Sequence, residues 1–213
     1  MNLLKFYEHF VKYLKQRENS EKIALLLLSG KIEHYVVRDF AFLLNKSSNG
    51  IYSGFINVGR RKPKVDLVII DKYEIVQAFM EFKHIPDKNR FWNDKSTGRD
   101  NIGKSLKDLY NQLRKVDVSK SKFEATNNKV FQVSKGASSV GMVVVSYYGT
   151  SFSHDSMKDF FYKIVEKADR MGFKNYGRSD LTLDEIFSNL NIAFAGKNYS
   201  VTLKLGLWHV PNC

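Results

Sequence analysis

Apolar positions recur at helical spacing over the first residues of the chain and switch to alternation or continuous runs further on. Leu3, Phe6, Tyr7, Phe10, Tyr13 and Leu14 fall on one face of a helix over 2–17, and Asn19-Ser20 breaks the pattern. A second helix is predicted over 20–28, ended by Ser29-Gly30, and a third over 31–45, stopped by Asn45 and the Ser47-Ser48-Asn49-Gly50 turn. Strand patterns cover 51–58, 64–71 and 73–83, the last two joined through Asp71-Lys72. A helix over about 100–117 carries Ile102, Leu106, Leu109, Tyr110, Leu113 and Val116 on one side. Residues 118–138, rich in Lys, Ser and Asn, show no clear period and read as an excursion from the core. Val140 to Tyr148 is a continuous apolar run, as in a buried central strand. A helix over about 155–171 follows, and a further one is expected from the capping box Thr182-Leu183-Asp184-Glu185. Over 199–208, Val201, Leu203, Leu205 and Leu207 alternate with polar residues, the pattern of a half-exposed strand.

The order helix, three-strand meander, helix, strand predicts an α/β fold with a mixed central sheet flanked by helices. No internal repeat or linker is visible, so residues 1–213 read as one domain. Within it, a helical extension at 1–30 packs on a core at 31–148, and 149–213 completes the domain with helices and strands.

Composition narrows the picture. Apolar residues make up 43% and aromatics 14%, which favours a folded chain over disorder. The 34 Lys and Arg against 22 Asp and Glu leave a net charge of +12, which favours a polyanionic partner. The only cysteine is Cys213, so no internal disulfide is possible. The first residues mix charges into their apolar positions, and the run Leu25 to Leu28 is far shorter than the ~20 residues of a membrane span. The expectation is a soluble cytoplasmic protein without a membrane partner.

The residues that carry chemistry gather on the second and third strands. Glu81 and Lys83 point to one face and Phe82 to the other, because side chains alternate along a strand. Asp66, near the start of its strand, lies beside the end of the next if the two pair as a hairpin. Carboxylates among apolar residues are costly unless paired or bound to a cation. Two hard oxygen donors suit Mg²⁺, or Mn²⁺, with a substrate phosphate and water completing its shell. Lys83 would then neutralise the phosphate or hold the attacking water. The ordinary alternative is a solvated Glu–Lys pair at a strand end, with Asp66 a turn residue. On the third helix, Ile32, Val36, Val37, Phe40, Leu43 and Leu44 form an apolar arc, and Glu33 falls inside it, about 20° from Phe40 on an ideal wheel. An acid there needs a cation or a partner, unless it is a first-turn acid complementing the helix dipole.

Lys62-Pro63-Lys64-Val65-Asp66, a hydrophobic stretch and then Glu81-Phe82-Lys83 together resemble the PD-(D/E)xK motif of the restriction-endonuclease-like nuclease superfamily. The proline stands three positions before the aspartate rather than next to it, a variation common in that superfamily. Its core order, helix, three strands, helix, strand, is that of residues 31–148. The resemblance implies hydrolysis of DNA phosphodiester bonds with Mg²⁺, as in a restriction-type endonuclease, with RNA not excluded. It makes Asp66 and Glu81 metal ligands, Lys83 the residue that assists the water or the transition state, and Glu33 the acid of the first core helix. Gln112, in Tyr110-Asn111-Gln112-Leu113, resembles the glutamine that some subfamilies place on the second core helix. An ordinary helix-border glutamine explains it as well.

Arg60, Arg61, Lys62 and Lys64 beside Asp66, with Arg90 beyond Lys83 and Lys104 on the following helix, are candidate phosphate contacts. Solubilising loops are the alternative. Gly98 to Ser105 also fits the P-loop pattern, but a polar stretch, not a buried strand, leads into it, and Asp100 would face the phosphates. The histidines show no zinc spacing, although His84 adjoins the motif. The rival to a nuclease is a non-catalytic nucleic-acid-binding protein of the same fold. Double-strand cutting would call for a homodimer, for which the helices at 2–28 offer an interface.

Overall fold

The computed structural model describes residues 2–30, 32–58, 65–87, 101–125, 128–150 and 153–211. Three helices come first: α1 (Leu3–Leu14), α2 (Arg17–Leu28) and α3 (Ile32–Ser47). The meander β1 (Tyr52–Val58), β2 (Val65–Asp71) and β3 (Ile75–Pro86) leads to α4 (Asn101–Lys115). Then come β4 (Lys122–Glu124), β5 (Val130–Gly149), α5 (His154–Arg170), β6 (Lys174–Asn175), β7 (Asp184–Phe194) and β8 (Lys197–His209). The eight strands form one sheet in the order β1-β2-β3-β5-β8-β6, with β4 added on β5 and β7 on β8. β3 and β5 run parallel, joined by the crossover through α4, and the other pairings are antiparallel. The fold is α/β, with a mixed sheet flanked by five helices among the described residues. None of those helices is long and apolar enough to cross a membrane.

Strand alternation divides the core between the two faces of the sheet. Met142 and Val144 of β5 join Leu67, Met80 and Phe82 beneath α1, α2 and α3. Val143 and Val145 meet Leu106, Leu109 and Ile164 of α4 and α5, together with Trp208. On the helical side Phe10 packs edge-on against Phe40, and Phe40 against Phe82, with all three buried. Each such ring contributes about 2–3 kcal/mol through lost apolar surface. The arc read on the third helix is therefore the face that α3 buries.

Three expectations are corrected. The segment from Thr182 is no helix: Asp184–Phe194 is strand β7, which pairs with β8. The capping-box residues are engaged elsewhere. Thr182 accepts hydrogen bonds from the Asn175 amide and the Trp208 indole, and Asp184 accepts from Tyr7 and Arg178. Ala195 and Gly196, with φ of 48° and 74°, form the tight turn that returns the chain into β8. The stretch 118–138 is not wholly an excursion, because it contains β4 and the first part of β5, which runs alongside β3 from Gln132. Its apolar anchors are few, with Phe131 buried and Val133 half-buried among polar neighbours, so no clear period emerges. Finally, from Val201 to Trp208 β8 is buried on both faces apart from the half-buried Lys204, rather than half-exposed. Thr202 and Leu203 are both fully covered, because β7 and β5 pair with the strand and helices pack over the sheet.

Candidate metal centre

The β2–β3 register decides whether the acids meet. Leu67 pairs with Met80 and Val68 with Phe79, so one step outward sets Asp66 opposite Glu81. Asp66 Oδ2 accepts the Phe82 backbone N–H at 2.9 Å, which ties its carboxylate to β3. Glu33, from the first turn of α3, accepts the His84 backbone N–H at 3.3 Å. Asp66, Glu81, Lys83 and Glu33, drawn from three elements, thus lie close enough for their charges to act on one another.

Glu81 is the most constrained of the four. It is only 1% exposed, and its pKa is pushed up to about 9. Burial is the main cause, followed by the charge of Asp66 and a hydrogen bond shared with it, then by Glu33, while Lys83 opposes the shift. Its Oε1 atom is buried without a hydrogen-bond partner among the described residues. Glu33 is half-buried and its pKa is also raised, by burial first, with the Lys83 charge pulling the other way and Asp66 adding to the rise. An apolar wall and two neighbouring acids thus keep a carboxyl protonated that a cation would ionise.

The donor set fits a hard divalent ion. Among the described residues no three His, Cys, Asp or Glu side chains are gathered to hold a metal. Asp66 and Glu81 would supply two carboxylates, enough for Mg²⁺ where waters and a phosphate fill the remaining positions. Among the described residues Glu81 Oε1 is left without a donor, as a ligand atom would be.

Gln112 also has a buried Oε1 with no partner among the described residues. Its helix lies close over the strand next to Glu81. A Cβ at Gly141, the neighbour of Glu81 on β5, would stand 3.1 Å from both Leu109 methyls and 3.3 Å from a Leu113 methyl. Gly141 therefore lets α4 approach the row that carries Glu81. It was missed in the sequence, where its only signal is an isolated glycine inside an apolar run. His84 belongs to the opposite side of β3 from Lys83 by alternation, and its Nε2 lies 2.7 Å from Ser146 Oγ.

Of the basic candidates, Lys104 is exposed near the start of α4. Arg60, Arg61, Lys62, Lys64 and Arg90 lie outside the described residues, as does Pro63 of the motif. Gly98, Arg99 and Asp100 of the P-loop-like segment do too, while Gly103, Lys104 and Ser105 belong to α4. No family model, curated protein or solved structure matches the chain.

Proposed function

We propose that the chain is a Mg²⁺-dependent endonuclease of restriction-endonuclease-like fold that hydrolyses DNA phosphodiester bonds. The observation that carries this reading is Glu81: a buried carboxyl with an oxygen unpartnered among the described residues, set against Asp66 beside Lys83. The order of α3, the β1–β3 meander, α4 and β5 supports the fold assignment, and the net charge of +12 supports the polyanionic substrate. Asp66 and Glu81 hold the ion, and Mn²⁺ would serve in its place. Bound there, the ion supplies Lewis-acid polarisation of the phosphate and a lowered pKa for water.

The chain's own groups then divide the remaining work. The Lys83 ammonium stands where negative charge grows on the phosphate oxygens. Asp66 is oriented by the Phe82 N–H, so its free lone pairs are fixed in direction. Glu33 anchors the end of β3 through the His84 N–H and adds a second negative charge beside Lys83. In the overall reaction a water oxygen bonds to phosphorus, the P–O bond to the leaving sugar oxygen breaks, and that oxygen takes up a proton.

Asp66→Ala or Glu81→Ala is expected to abolish cleavage of DNA in Mg²⁺ or Mn²⁺ while binding persists. Full activity in either purified variant sinks the assignment. Tight, salt-sensitive binding by the wild type with no cleavage of any DNA or RNA would instead identify a non-catalytic binding protein.

A further inference from the structure

A cavity of about 180 Å³ opens between the end of α4, β4 and the β2–β3 pair. Phe79 and Phe123, with three valines, form its apolar part, and Lys115, Lys120 and Lys122 stand around it. The two rings meet edge to face, with centroids 5.2 Å apart at 66°. Phe79 is buried, whereas Phe123 is half-buried and so keeps part of its surface accessible.

The cavity lies on the same face of the sheet as the acidic pair. Phe79 and Glu81 are two residues apart on β3, and so are Val68, the partner of Phe79, and Asp66 on β2. Two residues along a strand span about 7 Å. A polyanionic strand held at Asp66 and Glu81 would therefore need little additional length to reach the cavity.

Its charges suit the phosphates of such a strand. Asp117 and Glu124 also line the cavity, but Asp117 is engaged by Ser119 and by Lys120 at 3.8 Å, and Glu124 has a partner as well. Lys115 and Lys122 are exposed and form no ion pair among the described residues. The volume is that of one aromatic ring, since a cavity of roughly 150 Å³ takes up benzene. A stacked duplex base cannot enter such a space without leaving the helix.

We propose that this cavity is a subsite for one unpaired nucleotide of a nucleic-acid strand, its base against Phe123 and its flanking phosphates on Lys115 and Lys122. The inference rests on the nuclease reading for the path of the strand. It deepens that reading by naming the substrate class, a strand with an unpaired nucleotide beside the bond to be cut.

The test is equilibrium binding by the full chain in EDTA, so that no hydrolysis is needed. A labelled duplex with a short single-stranded tail, in each polarity, is compared with a blunt duplex of the same paired length. The wild type should bind one tailed form at least about fivefold more tightly, the lower end of what base–aromatic stacking supplies. Phe123→Leu, which keeps apolar bulk and so protects the fold, should remove that preference, and Phe123→Trp should retain it. Lys115→Ala/Lys122→Ala should lower the salt slope of tailed-DNA binding by about 1 to 2. Equal affinity for tailed and blunt DNA in the wild type overturns the proposal, as does a tail preference that survives Phe123→Leu. A nucleoside monophosphate that competes as well as the tailed strand overturns it too, by making the cavity a mononucleotide pocket. Cleavage by the wild type in Mg²⁺ is scored separately. A tail preference without any cleavage would keep the subsite and discard the nuclease.

Discussion

Glu81 sits where the folded chain by itself disfavours its ionised form. Its pKa of about 9 stands far above the ordinary carboxyl value of 4.5, so over the interval between them the unfolded chain is ionised and the folded chain keeps its proton. The folded state binds more protons there, and its stability falls as pH rises from about 4.5 to 9. At pH 7 the loss approaches about 3 kcal/mol as an upper bound. Glu81→Gln removes the ionisation and keeps the shape. In EDTA it should raise the melting temperature at pH 8, by the equivalent of about 1–2 kcal/mol, and leave it unchanged at pH 4.5. Thermal melts at the two pH values check this, and a gain of equal size at both would refute the account. The same residue shows what was legible in the sequence. Alternation alone placed Glu81 beside Lys83, and the apolar arc made Glu33 conspicuous. The depth of Glu81 was not legible, because it depends on α4 closing over Gly141 from a distant part of the chain.

At the scale of elements, the strongly periodic helices and the first three strands were readable, and β7 was not. A capping box is a local signal, and here the three-dimensional environment outweighs it. Thr182 and Asp184 bond to Asn175, Trp208, Tyr7 and Arg178, all remote from a first helical turn. Trp208 is the centre of that environment: fully buried, with its indole N–H on the Thr182 carbonyl at 3.0 Å. Gly206, two residues before it on β8, leaves the room the ring needs. A Cβ there would lie 2.6 Å from Nε1 and 2.7 Å from Cε2 of Trp208. Neither the ring nor the strand can yield cheaply, since Gly206 pairs with Val143 in the sheet. Gly206→Ala should therefore cost about 1–3 kcal/mol, the usual range for overpacking, a fall of several degrees in melting temperature. Gly196→Ala serves as the control for backbone strain without a clash, because its φ is 74° and nothing lies within 4 Å. A Gly206→Ala protein as stable as the wild type would mean that β8 and Trp208 are not packed as described.

For the molecule as a whole, the β2–β3 pairing sets Asp66, at the start of β2, against Glu81 in the middle of β3, inside a sheet packed on both faces. The layout of helix, meander, helix and strand was legible because each element carries its own period. The pairing of β8 between β5 and β7 was not, since it joins segments far apart in the chain. What the whole molecule adds to the site is its field. An excess of 12 positive charges lowers the energy of any polyanion near the surface, whatever its sequence. Arg60, Arg61, Lys62 and Lys64 precede Asp66 in the chain, so they are tied in sequence to the point where the proposed cleavage would place a phosphate. If they contact phosphates, each releases about one counterion on binding, and the logarithm of affinity falls linearly with the logarithm of salt. Replacing all four by alanine should flatten that slope by about 3 to 4. The loss of affinity should be the same for unrelated DNA sequences, since phosphates carry no sequence information. Anisotropy titrations across a salt series measure both quantities. An unchanged slope would move the phosphate path away from the β1–β2 connection, and a sequence-dependent loss would assign these residues to base recognition instead.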